Sequence, residues 1–198
     1  MSTTKRGRPP SHDREEALAR ALDLFWEQGY EATSIADLTA ATGMAPPSLY
    51  AAFGSKGGLF EEVVELYARE HRAFMARALA EEPTLRAGIE RMLREAAAAY
   101  TLPDHPRGCL VISAAVNCDS PEVRESLRRM RATGVRRLQR VIAAAIEAGE
   151  LGPEADARTL ALSVGVLMQG MAQQARDGAT RKDLEAVATL AIVGWPWR

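Results

Sequence analysis

The chain has too little cysteine for a disulfide framework: two thiols, Cys109 and Cys118, among 198 residues, with no Cys/His cluster at zinc-finger spacing. Aromatic residues are few (four Phe, four Tyr, three Trp). The β-branched residues are sparse, and no run alternates with the period of two that marks a strand. No stretch approaches the ~18 continuous apolar residues of a membrane-spanning helix. The first fifteen residues are charged and turn-rich where a secretory signal would have an apolar core. A positive surplus is missing as well, since 25 Lys plus Arg face 26 Asp plus Glu for a formal net charge of −1. These absences exclude a disulfide-stapled, β-rich or membrane-spanning protein, and predict a cytoplasmic chain with reduced thiols. Taken alone, the charge balance argues against a polyphosphate partner.

What is present favours helix. Alanine occurs 36 times, and its commonest companions are Leu, Glu and Arg, the strong helix formers. The predicted fold class is all-α, with about nine helices. Residues 1–10 carry three positive charges, no negative ones and nothing to bury, so they should be disordered when free. The first helix begins near Asp13, with Glu16 as capping-box partner, and Gly29 stops it. A second runs from Ser34 to Thr42 and a third from Pro46 to Phe53, separated by Gly43. Ser55 caps a long fourth helix to Glu81, and Pro83 opens a fifth to Tyr100. Cys109 to Asn117 is apolar all round and fits a buried strand or a buried helix; the all-α context selects helix. Three more follow, over Ser120–Gly149, Pro153–Asp177 and Thr180–Gly194.

Two short helices joined through Gly43 have the spacing of a helix-turn-helix. Leu38, Met44, Leu49 and Ala52 fall at the expected buried positions around the turn. The same spacing also fits an ordinary helical corner, and Thr39 is larger and more polar than the usual Ala four before the glycine.

The stretch Ala17 to Phe60, ALARALDLFWEQGYEATSIADLTAATGMAPPSLYAAFGSKGGLF, strongly resembles the DNA-binding domain of the TetR family of bacterial transcriptional repressors. Phe25, Gly29, Tyr30, Thr33, Ile35, Leu38, Gly43, Leu49, Tyr50, Phe53, Lys56 and Leu59 carry the match. The resemblance implies a basic arm over 1–12, a helix-turn-helix domain over 13–60 and an effector-binding, dimerising domain over 61–198. It implies double-stranded operator DNA, a second copy of the chain and a small-molecule effector as partners; from the residues themselves, no cofactor and no metal are expected.

In this motif the recognition helix enters the major groove with its N-terminal residues towards base edges. That assigns Ala45, Pro46, Pro47 and Ser48 to the bases, with Ala51 nearby. Tyr50 takes the position of the family's phosphate-contacting tyrosine, and Lys56 that of its phosphate clamp. Thr33 and Ser34, at a helix start, offer hydroxyls and free N–H groups to a phosphate. Pro46-Pro47 departs from the family's common Lys-Gly; it removes a charge and two donors, which favours apolar contacts to thymine methyls. Lys5, Arg6 and Arg8 form an arm suited to phosphates or an adjacent minor groove, or else a plain solvated tail.

The last two helices carry apolar faces that suit a four-helix dimer interface or the subunit's own core. Leu160, Val164, Leu167, Met168 and Met171 line one, and Leu184, Val187, Leu190 and Ala191 the other, with Trp195 and Trp197 at the edge. An effector cavity is expected among the fourth to eighth helices. Its candidate lining is Phe74, Met75, Ile89, Met92, Tyr100, Cys109, Ile112, Met130 and Leu138, each of which also suits plain core. The arginines between Arg124 and Arg140 read as a solvated helix face, with an anionic ligand as the other reading. Cys109 is either a small buried residue or a thiol sensor whose thiolate a helix N-terminus and Arg107 would stabilise. Cys118, nine residues on in the same expected helix, would sit roughly 13 Å away on the opposite face.

Two other function classes compete. An enzyme would need converging acid, base or metal groups, and His12, His71 and His105 show no such pattern. A helical protein-interaction adaptor would use its apolar faces without binding DNA. The charge is also unevenly spread: +3 over residues 1–10, −4 over 11–56, and 19 groups of each sign over 57–198. DNA binding by such a chain has to rely on the arm, Lys56 and uncharged contacts.

Overall fold

The computed structural model describes residues 11–116 and 118–198, with side chains from residue 14 onwards. Ten helical segments make it up: α1 Ser11–Gln28, α2 Ile35–Thr42, α3 Pro46–Phe53, α4 Lys56–His71, α5 Ala73–Glu81, α6 Leu85–Ala99, α7 Leu110–Ser113, α8 Pro121–Glu147, α9 Ala157–Arg176 and α10 Arg181–Val193. The expected all-α class holds. Among the described residues the only β pairing is one isolated bridge between Leu151 and Trp197, which ties the C-terminus to the α8–α9 loop.

The stripe read on α1 is its buried face: Ala17, Ala21, Leu22, Phe25 and Trp26 are at most 3% exposed. It lies against Phe60, Val63, Val64 and Tyr67 of α4, where Phe25 meets Phe60 edge to face at 5.0 Å. Each such side chain contributes about 1.5–3 kcal/mol by leaving water. Arg14 adds a polar strap across α1, α3 and α4. Its guanidinium donates twice to the Glu62 carboxylate, at 2.7 and 2.8 Å, and lies 4.5 Å over the Phe53 ring. Beyond this block α5 packs on α6, α6 on α10, and α8 on α9.

Three boundaries differ from those expected. The fourth helix is broken at Arg72 into α4 and α5, because Arg72 (φ −121°, ψ −3°) leaves helical geometry. The domain boundary expected at residue 60 thus falls within α4, one continuous helix. Of the expected helix Cys109–Asn117, the described residues 109–116 form only the one-turn α7, Leu110–Ser113, and Val116 is exposed. Val111, Ile112 and Ser113 are weak helix formers, and the Ser113 hydroxyl donates to the Cys109 carbonyl at 3.1 Å. Cys109 and Cys118 therefore do not share a helix; both are buried and free. α1 begins at Ser11, two residues before the expected cap Asp13, and Glu16 pairs with Arg20 one turn on.

Candidate functional site

The helix-turn-helix is built by local chemistry. Ser34 caps α2 through a complete capping box: its hydroxyl accepts the Asp37 N–H at 3.1 Å, and its own N–H donates to Asp37 Oδ2 at 2.8 Å. Gly43 ends the helix in the left-handed region (φ 71°), which glycine reaches without a Cβ clash. Thr42 holds the turn from below, its hydroxyl donating to Leu38 at 2.7 Å and accepting from the Met44 N–H at 3.2 Å.

On α3, Leu49 and Phe53 point into the core, whereas Ala45, Pro46, Pro47, Ser48, Tyr50 and Ala51 are all exposed. Proline at the first two helical positions costs no intrahelical bond, since those N–H groups have no partner there. The outer edge of α3 is thus small, uncharged and unobstructed. Lys56, at the first position of α4, rests its ammonium 4.3 Å from the centroid of the Tyr30 ring. Burial lowers its pKa, and the nearby Glu31 carboxylate opposes that shift.

Two of the phosphate candidates are otherwise engaged. Thr33 is fully buried and its hydroxyl donates to the Gly29 carbonyl at 2.7 Å, so it cannot reach a phosphate. The Ser34 hydroxyl donates to Asp37 Oδ2 at 2.6 Å and accepts from the Asp37 N–H, which leaves the Ile35 and Ala36 amides as the donors at this end. Lys5, Arg6 and Arg8 lie outside the described residues, as does the side chain of His12.

A cavity of about 250 Å³ opens between α5, α6, α8 and α9 and the segment around α7. Seven of the expected lining residues are on its wall: Met75, Met92, Tyr100 and Cys109, with Ile112, Met130 and Leu138. Phe74 and Ile89 do not line it and are buried in the core. Val164 and Met168, expected at a dimer interface, line this cavity instead. Arg72, Arg131 and Arg137 also line it, so the arginine-rich face of α8 is not wholly solvated. Arg72 lies at the break between α4 and α5, a feature that residue pattern alone does not signal.

Met171 and Leu184 are likewise interior, at 2% exposure each, while Leu160, Leu167 and Ala191 are half-buried. The apolar face that remains in water is Leu162 and Val166 of α9 with Val187, Leu190 and Val193 of α10, and the last three are 48, 75 and 67% exposed. On α10 the expected residues Val187 and Leu190 belong to this exposed strip, whereas on α9 the strip lies about half a turn from the expected face, because that helix has apolar residues on two sides. Trp195 and Trp197 stack at 5.1 Å and pack on their own subunit, with Trp197 Nε1 donating to the Ile192 carbonyl at 2.8 Å.

His71 and His105, distant in sequence, meet at 4.9 Å between ring centroids beside Trp26. Burial and the neighbouring His105 lower the pKa of His71. Among the described residues no group of three potential metal ligands converges, and no helix is long and apolar enough to cross a membrane.

Comparison with known proteins agrees with this geometry. Residues 17–63 match the family model for bacterial regulatory proteins of the tetR family, and residues 84–190 that for the tetracyclin repressor-like C-terminal domain. The HTH-type transcriptional repressor ComR of Escherichia coli (strain K12) is 36% identical over 200 residues, covering 96% of this chain and 92% of ComR. BdcR, an HTH-type transcriptional repressor of the same organism, is 35% identical over 129 residues, 63% of this chain and 65% of BdcR. Among solved structures, a cysteine mutant of the TetR-family regulator CifR, complexed with 26-bp double-strand operator DNA, superposes with a TM-score of 0.89. It is 39% identical, and the match covers 96% of this chain and all of that one.

Proposed function

The chain belongs to the TetR family of bacterial regulatory proteins, and from that premise we propose a homodimeric transcriptional repressor that a small molecule releases from its operator. The observation that carries the reading is the free outer edge of α3, anchored from beneath by Leu49 and Phe53. In the major groove, Ala45, Pro46, Pro47, Ser48 and Ala51 face base edges, and the small apolar surfaces suit thymine methyls. Tyr50 and Lys56 take flanking phosphates, together with the first amides of α2 and the arm residues Lys5, Arg6 and Arg8. Residues 13–60 form the DNA-binding unit and 61–198 the regulatory unit, with α4 shared between them.

One helix-turn-helix reads too few base pairs, so two-fold pairing supplies a second half-site. The exposed strip of Leu162, Val166, Val187, Leu190 and Val193 supports α9 and α10 as the paired surface. An effector in the cavity acts through α4, whose first residue is Lys56 and whose last turn adjoins Arg72. It shifts the equilibrium only by binding one spacing of the recognition helices better than the other.

Fluorescence anisotropy with duplexes from the DNA flanking the protein's own gene tests this reading. Retention at two chains per site, surviving excess unrelated duplex, is expected. Equal affinity for unrelated duplex would sink it.

A further inference from the structure

The cavity wall carries three arginines, Arg72, Arg131 and Arg137, and no Asp or Glu. Among the described residues, neither Arg72 nor Arg131 makes an ion pair with a carboxylate, although elsewhere the chain pairs arginines freely, as Arg91 does with Glu81, Glu82 and Glu95. Arg72 sits at the break between α4 and α5, and the polar neighbour of its Nη2 is the weak acceptor Met75 Sδ at 3.8 Å. Its guanidinium lies against α8 at Gly134, where an added Cβ would come within 3.9 Å of Nη2. Arg131, one turn earlier on α8, spends one donor on the Val111 carbonyl at 2.8 Å and retains the rest of its fork. Burial is the leading cause that lowers the pKa of Arg131; the neighbouring Cys109 opposes it, and Arg72 is close enough to lower it further.

Like charges at an apolar wall repel each other unless an anion comes between them, and a planar carboxylate matches a guanidinium fork bidentately. The remainder of the wall is soft and apolar, with Met75, Met92, Met130 and Met168 among its side chains, and such side chains adapt to aliphatic or aromatic groups. A cavity of about 150 Å³ accepts benzene, so one of about 250 Å³ holds roughly ten non-hydrogen atoms.

We infer that the effector cavity takes a small amphipathic carboxylate, its head between Arg72 and Arg131 and its apolar body among the methionines. This rests on the effector-cavity reading proposed above. The anion arrives at the residue that ends α4, so its charge bears directly on the helix that carries Lys56.

Octanoate and phenylacetate, with octanamide and phenylacetamide as neutral isosteres, are the probes for calorimetric titration of the full-length protein. Each acid should bind about 10- to 100-fold more tightly than its amide, the usual gain from a charge-assisted pair. In an Arg72→Gln/Arg131→Gln variant, with folding checked by circular dichroism, that ratio should fall to about one. Equal binding of acid and amide by the unaltered protein, no binding of any probe at millimolar concentration, or an acid preference that survives in the variant overturns the inference. The companion DNA-release assay separates it from the broader reading. Acids that bind through the arginines without releasing DNA leave the anion site standing and remove the effector role. Amides that bind and release as well as acids do the reverse.

Discussion

Glu31 fastens the DNA-binding block to Ser120, the N-cap of the long helix α8: its Oε1 accepts the Ser120 N–H at 3.0 Å and the adjacent Asp119 N–H at 2.8 Å. The two residues are 89 apart in sequence. The contact joins the α1–α2 turn to the helix that lines the cavity, a second link beside α4 between ligand and DNA.

These bonds hold the Glu31 carboxyl below its ordinary value of 4.5, with the Ser120 N–H the leading cause. A depressed folded-state pKa contributes stability above the unfolded value that is lost as pH falls through the folded one. Glu31→Ala should therefore melt at a lower temperature than the parent at pH 7, with the gap narrowing below pH 4.5. Thermal melts across pH 3–7 measure this, and a gap independent of pH would refute it.

Gly58 should be irreplaceable. A Cβ there runs into the Phe53 carbonyl oxygen, and since the obstacle is backbone, α3 and α4 would have to part. Gly58→Ala is expected to lose about 1–3 kcal/mol of stability. It should also weaken DNA affinity by shifting α3, measured by chemical denaturation and anisotropy.

The salt dependence of DNA binding should show how few charges are used. Lys5, Arg6, Arg8 and Lys56 in each of two subunits neutralise at most about eight phosphates, for a log–log slope of about −7. Deleting residues 1–10 should flatten it to about −2, the contribution of two Lys56. An unchanged slope would remove the arm from the interface.

Substitutions on α9 and α10 should divide by face. Val166→Glu with Leu190→Glu, on the exposed strip, should yield a folded monomer in analytical ultracentrifugation. Leu184→Ala, at a buried position of α10, should cost about 2–5 kcal/mol of stability while leaving the assembly intact.

Much of the fold is legible in the residues because its determinants are local. Ser34 with Asp37, Gly43, the Pro46-Pro47 pair and Ser55 each act within four positions along the chain, so the helix-turn-helix limits and its exposed edge follow from short-range chemistry. Even local partners can mislead: Thr33 and Ser34 look alike as hydroxyls at a helix start, yet one is sealed against Gly29 and the other occupied by Asp37. Where partners are remote, the residues say less. Phe74 and Ile89 look like cavity lining as much as Met75 and Met92 do, because apolar character does not say which side of a helix meets a void. Arg131 was indistinguishable from its solvated neighbours until the packing of α7 on α8 brought it to the wall.

The shortages of cysteine, aromatics, strand pattern and net positive charge determined the helical class and confined the electrostatics of DNA binding to a few residues, because composition and short-range periodicity fix secondary structure and charge inventory. The tertiary structure alone decided which apolar face of α9 stays in water, where α4 breaks, and that two arginines share a cavity without a carboxylate. Those are relations between surfaces far apart in the chain, set by how ten helices pack and not by the residues of any one of them.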